Sequence, residues 1–243
     1  MNKDMKVAII TGATGDIGKA VVAEAIALGY YVLAFGRDIS KLSEIKEKFT
    51  ESVSTFSVDL SDEQKIREIL GDVSMMFPHI DLVVGAAGTF KWDDEFPGEN
   101  LDEQTHNAVA FLSEVNFESK VRFDKILHEI YGDKISPVVK LVGSHIADPN
   151  KFSEKDIKDF KEVGYATSMK NVRRFVEIKQ SDTSETWTYK IIEPGLIDTE
   201  MARRAFTRER IGRDVDWQME AMSPEFFAKE FFLDILGEIK KAA

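Results

Sequence analysis

The sequence predicts an α/β domain: a doubly wound parallel sheet of about six strands in a three-layer α/β/α arrangement. Three observations carry this. Short β-branched runs alternate with helix-patterned segments along the chain, at the spacing of βαβ units. A glycine-rich turn, Thr11–Gly18, joins the first strand pattern to the first helix pattern. The length, 243 residues, fits one such domain, and no repeat, low-complexity segment or linker interrupts it. Residues 1–243 are therefore read as a single domain with two halves, about 5–135 and about 136–243.

The elements follow in order. Lys6–Ile10 is a short apolar run of strand length and predicts a buried strand. Lys19–Leu28 reads as a helix stopped by Gly29. Tyr31–Phe35 is a second strand, Ile39–Phe49 a helix and Ser52–Val58 a third strand. Ser61, with Gln64 three residues on, has the pattern of a capping box and opens a helix to about Leu70. Asp81–Val84 is a fourth strand. A loop rich in aromatics and acids follows, from Phe90 to about Leu101. Asn107–Tyr131 reads as one long helix. Pro137–Val142 and Trp187–Ile192 are the fifth and sixth strands, with a helix from about Asp159 to Lys179 between them. Beyond Pro194 the pattern is helical, and Ser223-Pro224-Glu225 places proline at a first helical position. Arg203, Arg204, Arg208, Arg210 and Arg213 form either a solvated helix face or a lid over a charged ligand.

Composition narrows the function. A net charge of -11 argues against a nucleic-acid-binding surface, which needs clustered positive charge. There is no cysteine, so disulfides, thiolate metal ligands and a cysteine nucleophile are excluded. His79, His106, His128 and His145 lack metal-ligand spacing, and no metal site is expected. The apolar stretch Val7–Ile10 is too short for a signal or membrane segment, and no membrane partner is expected. Cytoplasmic location is the expectation.

The glycine turn has the context that a Rossmann-type dinucleotide fingerprint requires, with a strand before it and a helix after it. Gly12 permits the tight turn, Gly15 lets backbone approach a pyrophosphate, and Gly18 allows close helix–strand packing. Thr14, Asp16 and Ile17 complete the cradle, with helix-start N–H groups facing the anion. Arg37 follows the second strand, where an adenine ribose would lie. Arginine there suits a 2′-phosphate, so NADP(H) is favoured over NAD(H). Asp59 closes the third strand, beside the adenine amine or as a helix-entry carboxylate.

Together Thr11-Gly12, Gly36-Arg37, Asp59-Leu60 and Gly85-Ala86-Ala87-Gly88 resemble the short-chain dehydrogenase/reductase family over about residues 5–235. The family usually has Asn-Asn-Ala-Gly at the last of these, and only Ala87 and Gly88 are kept. The resemblance makes the first half nucleotide-binding and the second half catalytic. It implies a tyrosine acid, a serine that orients the carbonyl, a lysine one helical turn past the tyrosine, and an asparagine on the long helix. Tyr165, Ser144 and Asn116 match. The lysine does not, because position 169 is methionine. Lys170 stands at i+5, roughly 140° round the helix from Tyr165. Two arrangements would supply the cation. A π-type distortion would bring Lys170 to the site. Alternatively Lys120, one turn past Asn116, would send its ammonium across.

Ser144 and Tyr165 are further apart than is usual in the family. The extra length, Asp148–Val163, is expected to form a short helix beside the site's mouth. Pro194, Gly195 and Ile197 resemble the family's backbone contact to the nicotinamide carboxamide, and Thr199 its contact to the pyrophosphate. Phe90, Trp92, Phe96 and Trp217 are candidate walls for an apolar substrate, and His145 a lining residue.

The expectation is an NADP(H)-dependent oxidoreductase acting on a small-molecule carbonyl or alcohol, assembled as a homodimer through the helices around Asn116 and Tyr165. The alternatives are a nucleotide-binding or regulatory protein without turnover, or a non-redox epimerase, dehydratase or lyase on the same scaffold.

Overall fold

Six parallel strands pair in the order β3-β2-β1-β4-β5-β6: β1 (Lys6–Thr11), β2 (Tyr30–Gly36), β3 (Val53–Ser57), β4 (Leu82–Gly85), β5 (Val138–Val142) and β6 (Thr188–Ile192). A computed structural model describes residues 5–242, with side chains described through Leu233. Residues 1–4 and 243 of the expected domain lie outside the described residues. The strand order reverses direction between β1 and β4, the switch point where doubly wound sheets bind ligands. The register sets Thr11 beside Phe35 on one side and Gly85 on the other, so these strands end level.

Helices cover both faces of the sheet. They are α1 (Asp16–Ala27), α2 (Ile39–Phe49), α3 (Glu63–Met76), α4 (Leu101–Ser113), α5 (Ser119–Tyr131), α6 (Glu154–Asp159), α7 (Val163–Ser181), α8 (Glu200–Ala205), α9 (Arg208–Ile211), α10 (Trp217–Glu220) and α11 (Pro224–Ala242). The two-residue period of β1 divides its side chains. Val7 and Ile9 join a core with Ile66 and Leu70 of α3, Phe123 of α5 and Val172 of α7. Ala8 and Ile10 join a second core with Val21 and Val22 of α1 and Phe227 and Phe231 of α11. These two apolar layers fix the three-layer architecture.

Several boundaries differ from the sequence reading, each for a local reason. α1 begins at Asp16 because Gly15, extended at φ -80 and ψ 164, is already its cap. Ser61 is not the cap of α3. Its N–H and hydroxyl both donate to the Asp59 carboxylate at 2.9 Å, and Asp62 caps the helix by accepting from Lys65 N at 2.9 Å. That helix runs through Gly71 to Met76. The long helix starts at Leu101, capped by the Asn100 side chain, which accepts from Glu103 N. Residues Glu114–Glu118 form a π turn between α4 and α5. The helix expected from about Asp159 begins instead at Val163, as α7, because Lys161 at φ 58 breaks the backbone just ahead of it.

Candidate active site

The carboxyl ends of β1, β4, β5 and β6 open onto one cavity of about 580 Å³. Its floor is built at the switch point. A Cβ on Gly12 would lie 2.5 Å from Ala87 N, so the turns after β1 and β4 touch only because this position is glycine, and a Cβ on Gly18 would lie 2.0 Å from Gly12 O, so α1 packs on the first turn only because that position is glycine too. Gly15 differs, since Gly12 O at 3.5 Å is the sole atom near its missing Cβ. Backbone there is open to a ligand. Gly15 also caps α1 without a side chain, which leaves first-turn N–H groups free to face an anion. On these observations a dinucleotide pyrophosphate fits the turn.

Ile17, Ala86, Ala87, Gly88, Pro194, Gly195, Ile197 and Thr199 all line the cavity, as does Ser144 with Tyr165. Thr14 packs against Gly36, where a Cβ would stand 2.7 Å from its methyl. The Asp16 carboxylate accepts from Glu200 N at 2.7 Å, which ties the start of α8 to the turn instead of facing an anion. Thr199 caps α8, accepting from Ala202 N at 3.1 Å. Arg37 is exposed, 3.8 Å from Asp59. The Ser61 N–H, burial notwithstanding, and then Arg37 hold the Asp59 carboxyl below its usual range. The Leu60 side chain is not brought to the cavity. It packs in the core, and its carbonyl accepts from Arg122 at 2.9 Å.

Tyr165 stands in the first turn of α7, with its ring edge-on to Phe90 at 4.9 Å. Burial raises the phenol's pKa, the Ser144 hydroxyl opposes that rise, and Glu162 adds to it. Ser144 is held by the short turn His145–Ala147, whose Ile146 N–H points at its oxygen. His145 packs its ring on Gly195, 3.0 Å from where a Cβ would be, and burial lowers its pKa.

The cation question has a geometric answer. α7 is regular α-helix through 165–170, and the π turn lies instead at Asn116. Lys170 is therefore not carried round to the cavity, and Met169 holds the inward position, 4% exposed, packed on Ile146, Ile157 and Ala166. Lys120 lines the cavity, 5% exposed. Its ammonium donates to Asn116 O at 2.6 Å and to Ala87 O. Burial pulls its pKa down to about 7. The Asn116 side chain is a clamp. It accepts from Thr89 N at 2.7 Å and donates to Thr89 O at 2.9 Å and Ser168 Oγ at 3.1 Å. It thereby fixes the turn after β4 that Lys120 also grips.

Two acidic groups escaped the sequence reading. Asp93 is fully buried and accepts from Val163 N and Gly164 N at 2.9 Å each, capping α7 from another loop. Burial raises its carboxyl above the usual range, against those two N–H groups. Glu162, 7% exposed, lines the cavity, and burial followed by the Asp93 charge lifts its pKa to about 7. Its spacing of three from Tyr165, which puts both on one helix face, was the available signal.

The walls are apolar. Phe90, Trp92 and Phe206 pack mutually, and Trp92 Nε1 donates to Ala205 O at 3.1 Å, holding α8 over the cavity. Phe152 and Phe160 enter from the segment 148–163, which does form the short helix α6. Phe96 packs instead with Ala108 and Leu112, and Trp217 sits under Arg203. The arginines divide: Arg203 pairs with Asp198, Arg208 with Asp214 and Arg210 with Asp94, whereas Arg213, paired with Glu220, lines the cavity. An open groove between α1 and α11, of about 650 Å³, has charged walls such as Lys19, Glu24 and Lys229 and lies apart from these groups. Among the described residues no cluster of three or more histidine or acidic side chains could hold a metal, and no helix is long and apolar enough to cross a membrane.

Comparison with known proteins agrees with this layout. The family profile described as short chain dehydrogenase matches residues 6–210. An uncharacterized oxidoreductase of Staphylococcus epidermidis is 34% identical over 83 residues, which is 34% of this chain and 36% of that protein. The alignment thus spans about a third of the length of such relatives. A 3-oxoacyl-acyl-carrier-protein reductase of Escherichia coli is 23% identical over 212 residues, 87% of this chain and 82% of the relative. Among solved structures, a short-chain dehydrogenase from Streptomyces avermitilis superposes with a TM-score of 0.76 at 20% identity, covering 97% of this chain and 85% of its own. An alcohol dehydrogenase from Thermococcus sibiricus, complexed with 5-hydroxy-NADP, gives 0.72 at 22% identity, covering 96% and 91%.

Proposed function

The chain belongs to the short-chain dehydrogenase family, and on that premise we propose that it is an NADP(H)-dependent oxidoreductase that interconverts a small carbonyl compound and its alcohol. One observation carries the reading: the Tyr165 phenol and the Ser144 hydroxyl interact in a cavity that runs back to the glycine turn. When bound, the nicotinamide supplies or accepts the hydride. Everything else falls to the chain. In the reducing direction the Tyr165 phenol donates its proton to the carbonyl oxygen as negative charge develops there. Ser144 donates a second hydrogen bond and sets the oxygen's position.

A tyrosine titrates near 10 in water, and burial here pushes Tyr165 higher, so a resident positive charge is needed to make the phenolate accessible. We assign that charge to Lys120, whose ammonium lines the same cavity, in place of a lysine on α7. Two of its three N–H bonds are engaged by Ala87 O and Asn116 O, which leaves one for the cavity. A group titrating at about 7 both takes and gives a proton at neutral pH. Phe90, Trp92, Phe206 and Met169 exclude water from the reacting region.

Arg37, exposed and beside Asp59, supports the preference for a 2′-phosphate. The half-exposed Phe111 of α4 and Ile178 of α7 support a homodimer through these helices, which sedimentation would test. The activity test is NADPH consumption across a panel of ketones and aldehydes, with Tyr165→Phe as control. Turnover by the wild type, lost by at least about a hundredfold in the variant while NADPH still binds, supports the reading. NADPH binding without any turnover would favour a regulatory nucleotide-binding protein.

A further inference from the structure

Glu162 occupies the cap position of α7, yet its side chain makes no capping hydrogen bond. A carboxylate at a helix start ordinarily folds back onto the first-turn N–H groups. Here those groups, Val163 N and Gly164 N, already donate to Asp93. Glu162 is thereby freed from structural duty and lies on the cavity wall, 7% exposed. No hydrogen bond or ion pair reaches its carboxylate from any described residue. Neither cation that shares the cavity pairs with that carboxylate: Arg213 binds Glu220, and Lys120 is held at its tip by two backbone carbonyls, with its remaining N–H toward the cavity. Lys161 and Arg210, nearby in the fold, both bind Asp94. The charge that bears on Glu162 is Asp93, of the same sign.

A carboxyl group on a largely desolvated cavity wall, with no protein cation beside it and a second acid behind it, is poorly compensated until a cation enters from the cavity. The surroundings name that something. Phe90, Tyr165 and Phe160 line the same cavity, and aromatic faces attract cations. An ammonium group would satisfy Glu162, offset Asp93 and rest on those rings. Tyr165, three residues on, lines the same cavity, and the Glu162 charge bears on its phenol. A substrate that hydrogen-bonds the phenol through its carbonyl oxygen would therefore carry its ammonium close to the reacting carbon, on an adjacent carbon.

We propose that Glu162 is the binding group for a substrate ammonium, and that the cavity takes α-amino ketones and the corresponding 1,2-amino alcohols with an apolar or aromatic body. The substrate class rests on the oxidoreductase reading above, whereas the ammonium site does not.

The test uses isosteric pairs that differ only in an ammonium against a methyl. With NADPH, 2-amino-1-phenylethanone and propiophenone are compared for turnover. With NADP+ present, binding of 2-amino-1-phenylethanol and 1-phenyl-1-propanol is compared by calorimetry. The wild type is expected to prefer the ammonium member of each pair by at least about tenfold, the order expected for a buried charged hydrogen bond. In Glu162→Gln both ratios are expected to fall to about one or below. An ammonium preference in binding that Glu162→Gln removes, with no turnover of either ketone, keeps the site and discards the redox reading. Turnover of propiophenone at least equal to that of the amino ketone overturns the ammonium site and leaves the redox reading intact. A wild-type preference that survives in Glu162→Gln also overturns it, by placing the recognition elsewhere.

Discussion

Replacing Lys120 by methionine removes the one buried ammonium in the cavity while keeping most of its stem, which packs near Gly85. The effect on stability follows from the proton balance. An unfolded lysine titrates near 10.5, and burial lowers the folded group to about 7. Above about 10.5 the group is neutral in both states and makes no difference. As the pH falls below that value the unfolded chain binds a proton that the folded chain does not, and the folded state loses relative stability. The loss saturates below about 7. At about 1.4 kcal/mol per pH unit, the full penalty approaches about 5 kcal/mol. The lost hydrogen bonds to Ala87 O and Asn116 O act in the other direction, by about 1–2 kcal/mol each, but barely depend on pH. The sign of the difference at pH 7 is thus a contest, whereas its slope is not. Between pH 7 and 9.5 the wild type should gain about 3 kcal/mol relative to Lys120→Met. Urea unfolding of both proteins at the two pH values measures this. A difference that stays constant within about 0.5 kcal/mol would show that Lys120 is not a desolvated cation, and the proposed charge near Tyr165 would go with it.

Other perturbations probe the frame around the site. Gly18→Ala should destabilise the fold by at least about 2 kcal/mol and abolish nucleotide binding, because its Cβ would meet Gly12 O at 2.0 Å; a variant with wild-type Tm and affinity would contradict the close approach. Asp93→Asn keeps only one acceptor for Val163 N and Gly164 N, so it should cost about 1–3 kcal/mol, seen as a lower Tm, with α7 losing amide-exchange protection at its start. Exchange unchanged at those amides would mean that α7 does not depend on Asp93.

The sheet was legible because each strand is a short apolar run bounded by turn residues, and all six differ from expectation only at their ends. Helix starts were less legible. Ser61 and Asp62 are both good caps, and the choice went to Asp62 because Asp59 had already engaged Ser61. The nucleotide end was readable from Gly12, Gly15 and Gly18, whose necessity is a matter of local sterics. The chemical end was only half readable. Tyr165 and Ser144 could be placed by motif, but no local pattern ties Lys120 on α5 to the turn after β4. That contact exists because β4 ends level with β1 and the π turn at Asn116 directs a carbonyl toward the ammonium. Asp93 was hidden for the same reason, since it caps a helix 70 residues away.

The most direct test of the account is a fluorescence titration of NADPH and NADH into the wild type and Arg37→Ala. The wild type is expected to bind NADPH tightly and NADH more weakly. Arg37→Ala is expected to lose at least about tenfold for NADPH, with NADH little changed, as for removal of a charged phosphate contact. Equal losses for the two cofactors would contradict the phosphate role of Arg37. No binding of either by the wild type would mean that the glycine turn serves architecture alone, and the oxidoreductase reading would fall with it.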